Sequence, residues 1–197
     1  MLVRRTFAAA TTLAVGLATC AVGFLAGAEP SQAAATRTVT LRFAGGHDTD
    51  PVDNGRPVVL VAAGLGVPTA VFRDAFSRVH PADAGRQPTD EQARANKAAL
   101  LSVLAPYGVT NERLDEVSNR YRYNRSAGQT WTRRGARATA VIRGDKVVSV
   151  KLLDGGMGYS STPTVTVPGV AGARVTATVS YGTDLTANGA VTALKLG

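Results

Sequence analysis

Ala136-Arg137-Ala138-Thr139-Ala140-Val141-Ile142, a turn at Gly144-Asp145, Val147-Val148-Ser149-Val150-Lys151-Leu152-Leu153, then Gly155-Gly156-Met157-Gly158-Tyr159-Ser160-Ser161-Thr162-Pro163-Thr164-Val165-Thr166-Val167: this stretch decides how the chain folds. Two β-branched runs flank a two-residue turn with Gly first, which is the pattern of a tight β-hairpin. Part of it returns. Residues 173–179 match 136–142 almost position for position, and 190–196 match 147–153. Strands are expected at 136–143, 146–153, 163–167, 173–180 and 190–196. Two copies are too few for a solenoid, so a compact antiparallel β module with a degenerate internal repeat is expected over 136–197.

Upstream the signals turn helical. Val58 to Ala63 follows Pro57, which suits a first helical turn, although so short and β-branched a run could also be a buried strand. Pro68 opens a second helix whose Val71, Phe72, Ala75, Phe76 and Val79 recur at helical spacing. Thr89 or Asp90 caps a third, with acid in its first turn, and Leu100, Leu101 and Leu104 supply its stripe. Thr110 caps a fourth, with Leu114, Val117 and Tyr121 facing inward. Leu65-Gly66-Val67-Pro68 and Tyr107-Gly108-Val109-Thr110 are alike: each is helix, Gly, Val, cap, helix. A left-handed Gly can end a helix while the next residue folds back on its last turn. Residues 57–122 therefore read as a helical domain of two αα-hairpins. Residues 36–56 read as an irregular lead with one strand around Thr38–Phe43, and 123–135 as an Arg-rich linker. The fold class is α+β.

Residues 1–35 read as an export signal peptide. Arg4-Arg5 form its basic start, Phe7 to Ala28 carry no charge, and the Ala/Ser-rich stretch after Pro30 suits cleavage. Arg4-Arg5-Thr6-Phe7 also resembles the twin-arginine signal. An uncleaved signal would anchor the chain in a membrane, because the apolar run is long enough to span one. The expected location is secreted or cell-surface. The one cysteine, Cys20, leaves with the signal, which excludes a disulfide scaffold, a cysteine nucleophile and cysteine-ligated zinc from the mature chain. The net charge is +8, mostly from arginine. A basic surface outside the cell favours a wall polymer, an acidic polysaccharide or a lipid headgroup, and export argues against intracellular DNA.

Gly155 to Val165 resembles a β unit, Gly-Gly-x-Gly-Tyr-x-Ser-x-Pro-x-Val, found in exported bacterial proteins and phage tail-fibre proteins. Residues 47–125, with His47-Asp48-Thr49-Asp50-Pro51 and Gly108 to Asp115, resemble exported bacterial proteins known only as uncharacterised. The resemblance implies surface display or structural duty. It carries over no active site and no cofactor.

The strongest interaction candidate is Arg122, Arg125, Trp131, Arg133 and Arg134, within a stretch free of acids. Arginines offer paired hydrogen bonds to phosphate or carboxylate, and aromatics stack on bases or sugars. The expected function is a non-enzymatic binding or structural protein that engages an anionic surface or polymer. The alternative is a metal-dependent hydrolase centred on His47, Asp48, Asp50 and Asp53, since a histidine among carboxylates suits zinc or iron. Whether the His47 segment packs against the β module decides between a built site and a leader tail.

Overall fold

Leu41 sits at the point where the lead segment changes sheets. β1 (Thr36–Thr40) and β2 (Arg42–Gly45) flank it. Its N–H donates to the Ala138 carbonyl at 2.9 Å. Its side chain is buried. The computed structural model describes residues 34–80, 82, 86–124 and 127–197. The signal expected over 1–35 lies almost wholly outside the described residues, as does Arg125. Residues 34–197 form one compact unit.

Among the described residues seven strands make two antiparallel sheets. β3 (Arg137–Arg143), β4 (Lys146–Asp154) and β1 form one, in the order β1-β3-β4. β5 (Pro163–Thr166), β6 (Val175–Ser180) and β7 (Ala190–Leu196) complete the other, in the order β2-β5-β6-β7. Alternation puts Ala138, Ala140 and Ile142 inward from one sheet, and Val165, Val175, Ala177 and Val191 inward from the other, into a single apolar core. The lead segment is thus not irregular. Val39, Leu41 and Phe43 do share one face, as their spacing implies, but each end of the segment pairs with a different sheet.

β3–β4 shifts register twice, between Arg137 and Ala138 and between Val141 and Ile142, and β6–β7 once, between Thr178 and Val179. Ile142 faces Val147, and Val179 faces Val191. Val147 therefore corresponds to Val191, one residue along from the alignment of 147–153 with 190–196. Gly144, with φ of 58°, makes the hairpin turn between β3 and β4.

Among the described residues four α-helices precede β3: α1 (Val58–Leu65), α2 (Thr69–Ser77), α3 (Asp90–Leu104) and α4 (Asn111–Arg120). Thr89 and Thr110 cap α3 and α4 by accepting from the Gln92 and Arg113 N–H groups. Both Gly-Val junctions form the expected stop. Val67 N–H bonds the Ala62 carbonyl at 3.0 Å, and Val109 N–H bonds that of Leu104 at 3.4 Å. α1 and α2 meet at 104°, and among the described residues no single helix is long and apolar enough to cross a membrane. α1 packs with Phe72, Leu104, Leu114 and Val117 in a second core.

Three side chains fasten this helical core to the sandwich. Asn188, 1% exposed, donates to the Leu60 carbonyl at 2.8 Å. Arg113 donates to the carbonyls of Gly64 and Thr183. Arg120 reaches the Leu185 carbonyl at 3.1 Å. These are buried or half-buried polar groups whose loss would leave carbonyls unpaired. Helices and strands are accordingly not two independent domains joined by a linker.

Candidate functional site

The Gly155–Ser161 turn is held on three sides. Met157 and Arg134 exchange backbone hydrogen bonds at 2.9 and 3.0 Å. Gly158 and Tyr159 donate to the carbonyls of Asn188 and Gly189. Ser160 and Ser161 donate to the Gly46 carbonyl. The Tyr159 hydroxyl accepts from Ala136 N–H at 2.9 Å, and Trp131 Nε1 donates to the Gly158 carbonyl at 2.8 Å. The turn is a clamp that ties the 123–135 stretch, the lead segment and the second β-hairpin together.

His47 is built into this clamp. Its ring stacks on Tyr159 at 5.1 Å and meets the edge of Trp131 at 6.3 Å. Burial lowers its pKa below the ordinary histidine value, and the Arg133 guanidinium pushes the same way. The Gly158 and Gly46 carbonyls and the Asp48 carboxylate oppose them. The neutral ring is therefore the folded form. The unfolded chain takes up the proton first as pH falls, so this contribution to stability is full above about 6.5 and is lost as pH drops toward the lower native value. We expect the melting temperature to fall between a pH of about 7.5 and about 5, and to fall less in His47→Phe, which keeps the stack without titrating. Equal falls in calorimetry would show that His47 carries none of the dependence.

The side chains of the metal-site candidate have partners of their own. Asp48 accepts from the Ser161 hydroxyl at 3.0 Å. Asp53, 6% exposed, pairs with Arg73 at 2.8 Å, and Asp50 pairs with the same guanidinium at 3.0 Å. The four side chains turn to three different partners because the segment winds into a short 3-10 helix, Pro51–Asp53, capped by Asp50. Among the described residues no three His, Cys, Asp or Glu groups are placed to hold a metal ion together.

The four binding candidates that are described, Arg122, Trp131, Arg133 and Arg134, have different surroundings. Trp131 is 5% exposed and belongs to the helical core, so its ring is not offered to a ligand. Arg133 covers it at 5.5 Å while remaining exposed. Arg134 pairs with Asp154. The Gly156 N–H above all, and then the Arg134 and Arg137 guanidiniums, hold the Asp154 carboxyl below its ordinary range against its partial burial. Arg122 donates to Asn119 Oδ1 at 2.8 Å, beside a cavity lined by Phe72 and Tyr121.

Sequence reasoning missed where the strands gather positive charge. Of these side chains Arg137 shares Asp154 with Arg134, its own guanidinium lying 3.6 Å from the carboxylate. The seven strands carry Arg37, Arg42, Arg137, Arg143, Lys146, Lys151 and Lys195 against one acid, Asp154. Acids and bases are nearly balanced along α2, α3 and α4. Arg137, Thr139, Val141 and Arg143 alternate with the buried side of β3 and so form its outer face. Across the strands, Thr139 stands between Thr40 and Lys151, and Arg143 between Thr36 and Lys146. The even separation of Arg137 and Arg143 within an alternating strand was the available signal. No protein-family model, no curated protein and no solved structure matches this chain.

Proposed function

We propose that the chain is an exported, non-enzymatic binding or structural protein that holds an anionic extracellular surface or polymer. The contact is the outer face of the β1-β3-β4 sheet, through Arg137, Arg143, Lys146 and Lys151, with Arg133 and Arg134 beside it. The observation that carries this reading is the charge of the strands, seven basic side chains to one acid. A flat strand face spaces its outward side chains at about 7 Å along the strand, a regular array against which a repeating polyanion can lie. The resemblance of Gly155–Val165 to units of exported and tail-fibre proteins agrees with surface duty. In the same reading, β3–β4 and β6–β7 are two copies of one bulged hairpin, and the Gly-Val stops mark two helix pairs of one design.

The test is retention on immobilised heparin, on phosphatidylglycerol vesicles and on isolated cell-wall polymer. Replacing Arg137, Arg143, Lys146 and Lys151 together by Gln is expected to release the protein at physiological salt. Replacing Arg122 and Arg133 by Gln is expected to weaken it only slightly. The reverse order of effects would return the site to the 122–134 stretch.

A further inference from the structure

We infer that the cavity between the start of α1, α2 and the end of α4 binds a small organic carboxylate with an apolar body. Its volume is about 300 Å³, at the small end of the range for ligand pockets. Val61, Phe72, Phe76 and Tyr121 line it with apolar surface, and among the described residues Arg56 and Arg122 are its only charged groups. Ser118 and Tyr123 add a hydroxyl each.

Neither arginine is neutralised by an acid among the described residues, a state shared with Arg37, Arg120 and Arg133, and the apolar lining around them is what sets this cavity apart. Arg73, Arg78, Arg113 and Arg134 each hold a carboxylate. Arg56 and Arg122 hold none among the described residues. Arg56 lies over the Phe76 ring at 4.6 Å and donates to the Asp53 carbonyl at 3.3 Å. Among the described residues Arg122 donates to the neutral Asn119 amide. A guanidinium fixed by neutral partners at an apolar wall keeps donors for a carboxylate, which it can grip through two parallel bonds. The aromatic lining would cover the rest of the ligand. A cation finds no acid here, and a sugar finds too few polar groups for its hydroxyls. Free phosphate would leave the apolar lining uncovered. This site does not depend on the polymer-binding sheet face, and none of that face's residues lines it.

Octanoate and octanamide, titrated calorimetrically into the full chain, test the assignment. Octanoate is expected to bind saturably with one site, and octanamide about tenfold more weakly, as befits a charge-assisted hydrogen bond. Arg122→Gln should weaken octanoate by about the same factor and leave octanamide unchanged. Ser118→Phe, at an exposed position of α4, should block both ligands without shifting the melting temperature. The inference is overturned by equal affinity for the two ligands, by undiminished octanoate binding in Arg122→Gln, or by no saturable octanoate binding at all.

Discussion

Trp131→Ala is expected to destabilise the protein by about 3–5 kcal/mol, the range for deleting a large buried aromatic. Three neighbours set that cost. The indole belongs to the helical core, its Nε1 satisfies the Gly158 carbonyl, and its ring meets the edge of His47. Removing it opens a cavity and leaves a carbonyl of the clamp unpaired. Trp131→Phe keeps most of the volume and should cost only about 1–2 kcal/mol, chiefly the missing hydrogen bond. Denaturant titration of both variants gives the two numbers. The chain has one tryptophan, so the wild-type protein supplies an independent reading. Its native emission should be blue-shifted and nearly immune to iodide, and should move to the red only on unfolding. Emission quenched like free indole would place Trp131 at the surface and restore it as a stacking platform.

The second large effect is expected at Gly156. Its φ of 67° lies in the left-handed region, where a side chain costs roughly 1–2 kcal/mol. The larger obstacle is space. A Cβ there would overlap the Arg134 carbonyl oxygen and stand 2.8 Å from the Ala136 nitrogen, both backbone atoms. The turn would have to withdraw from the 134–136 segment and break the paired Arg134–Met157 hydrogen bonds. We expect Gly156→Ala to cost about 3–5 kcal/mol in all. Gly172 is the control. It has a similar φ of 74° but nothing within 4 Å of the added carbon, so Gly172→Ala should cost about 1–2 kcal/mol. Equal destabilisation of the two variants would mean that strain alone matters and that the turn is not a clamp.

Much of the fold was legible because its signals are local. Thr89 and Thr110 announce their helices through short side-chain bonds to their own first turns. Gly66 and Gly108 announce the ends. The hairpin at Gly144-Asp145 and the strand runs after it follow from alternation over a few residues. What stayed hidden depends on distant partners. Nothing within Thr36–Gly45 says that its two halves join different sheets, since that is set by β3 and β5, roughly a hundred residues later in the chain. The 123–135 stretch has the composition of a solvated linker. An arginine-aromatic alternation looks the same whether the aromatic is presented or buried, and only Gly158 and His47 reveal that Trp131 is buried. The His47–Asp53 carboxylates matched a metal site by type, but Arg73, twenty residues on from Asp53, claims two of them.

The candidate interaction surface was half legible. The basic excess follows from composition and is what the proposed anionic partner rests on, whereas the proposed location needs the sheet. Arg137, Arg143, Lys146 and Lys151 were scattered among strand residues and became one face only through the β3–β4 register. Arg122 stayed a candidate, although beside a cavity rather than within a basic stripe.

The central claim is that the strand face carries the electrostatic attachment. Its most direct measurement is the salt dependence of heparin binding in the wild type and in the variant with Arg137, Arg143, Lys146 and Lys151 changed to Gln. Each ion pair removed from the heparin complex should lower the slope of log K against log salt concentration by roughly 0.7 to 0.9. The account predicts a wild-type slope steeper by about three units than that of the variant. Identical slopes would contradict it and place heparin elsewhere on the molecule.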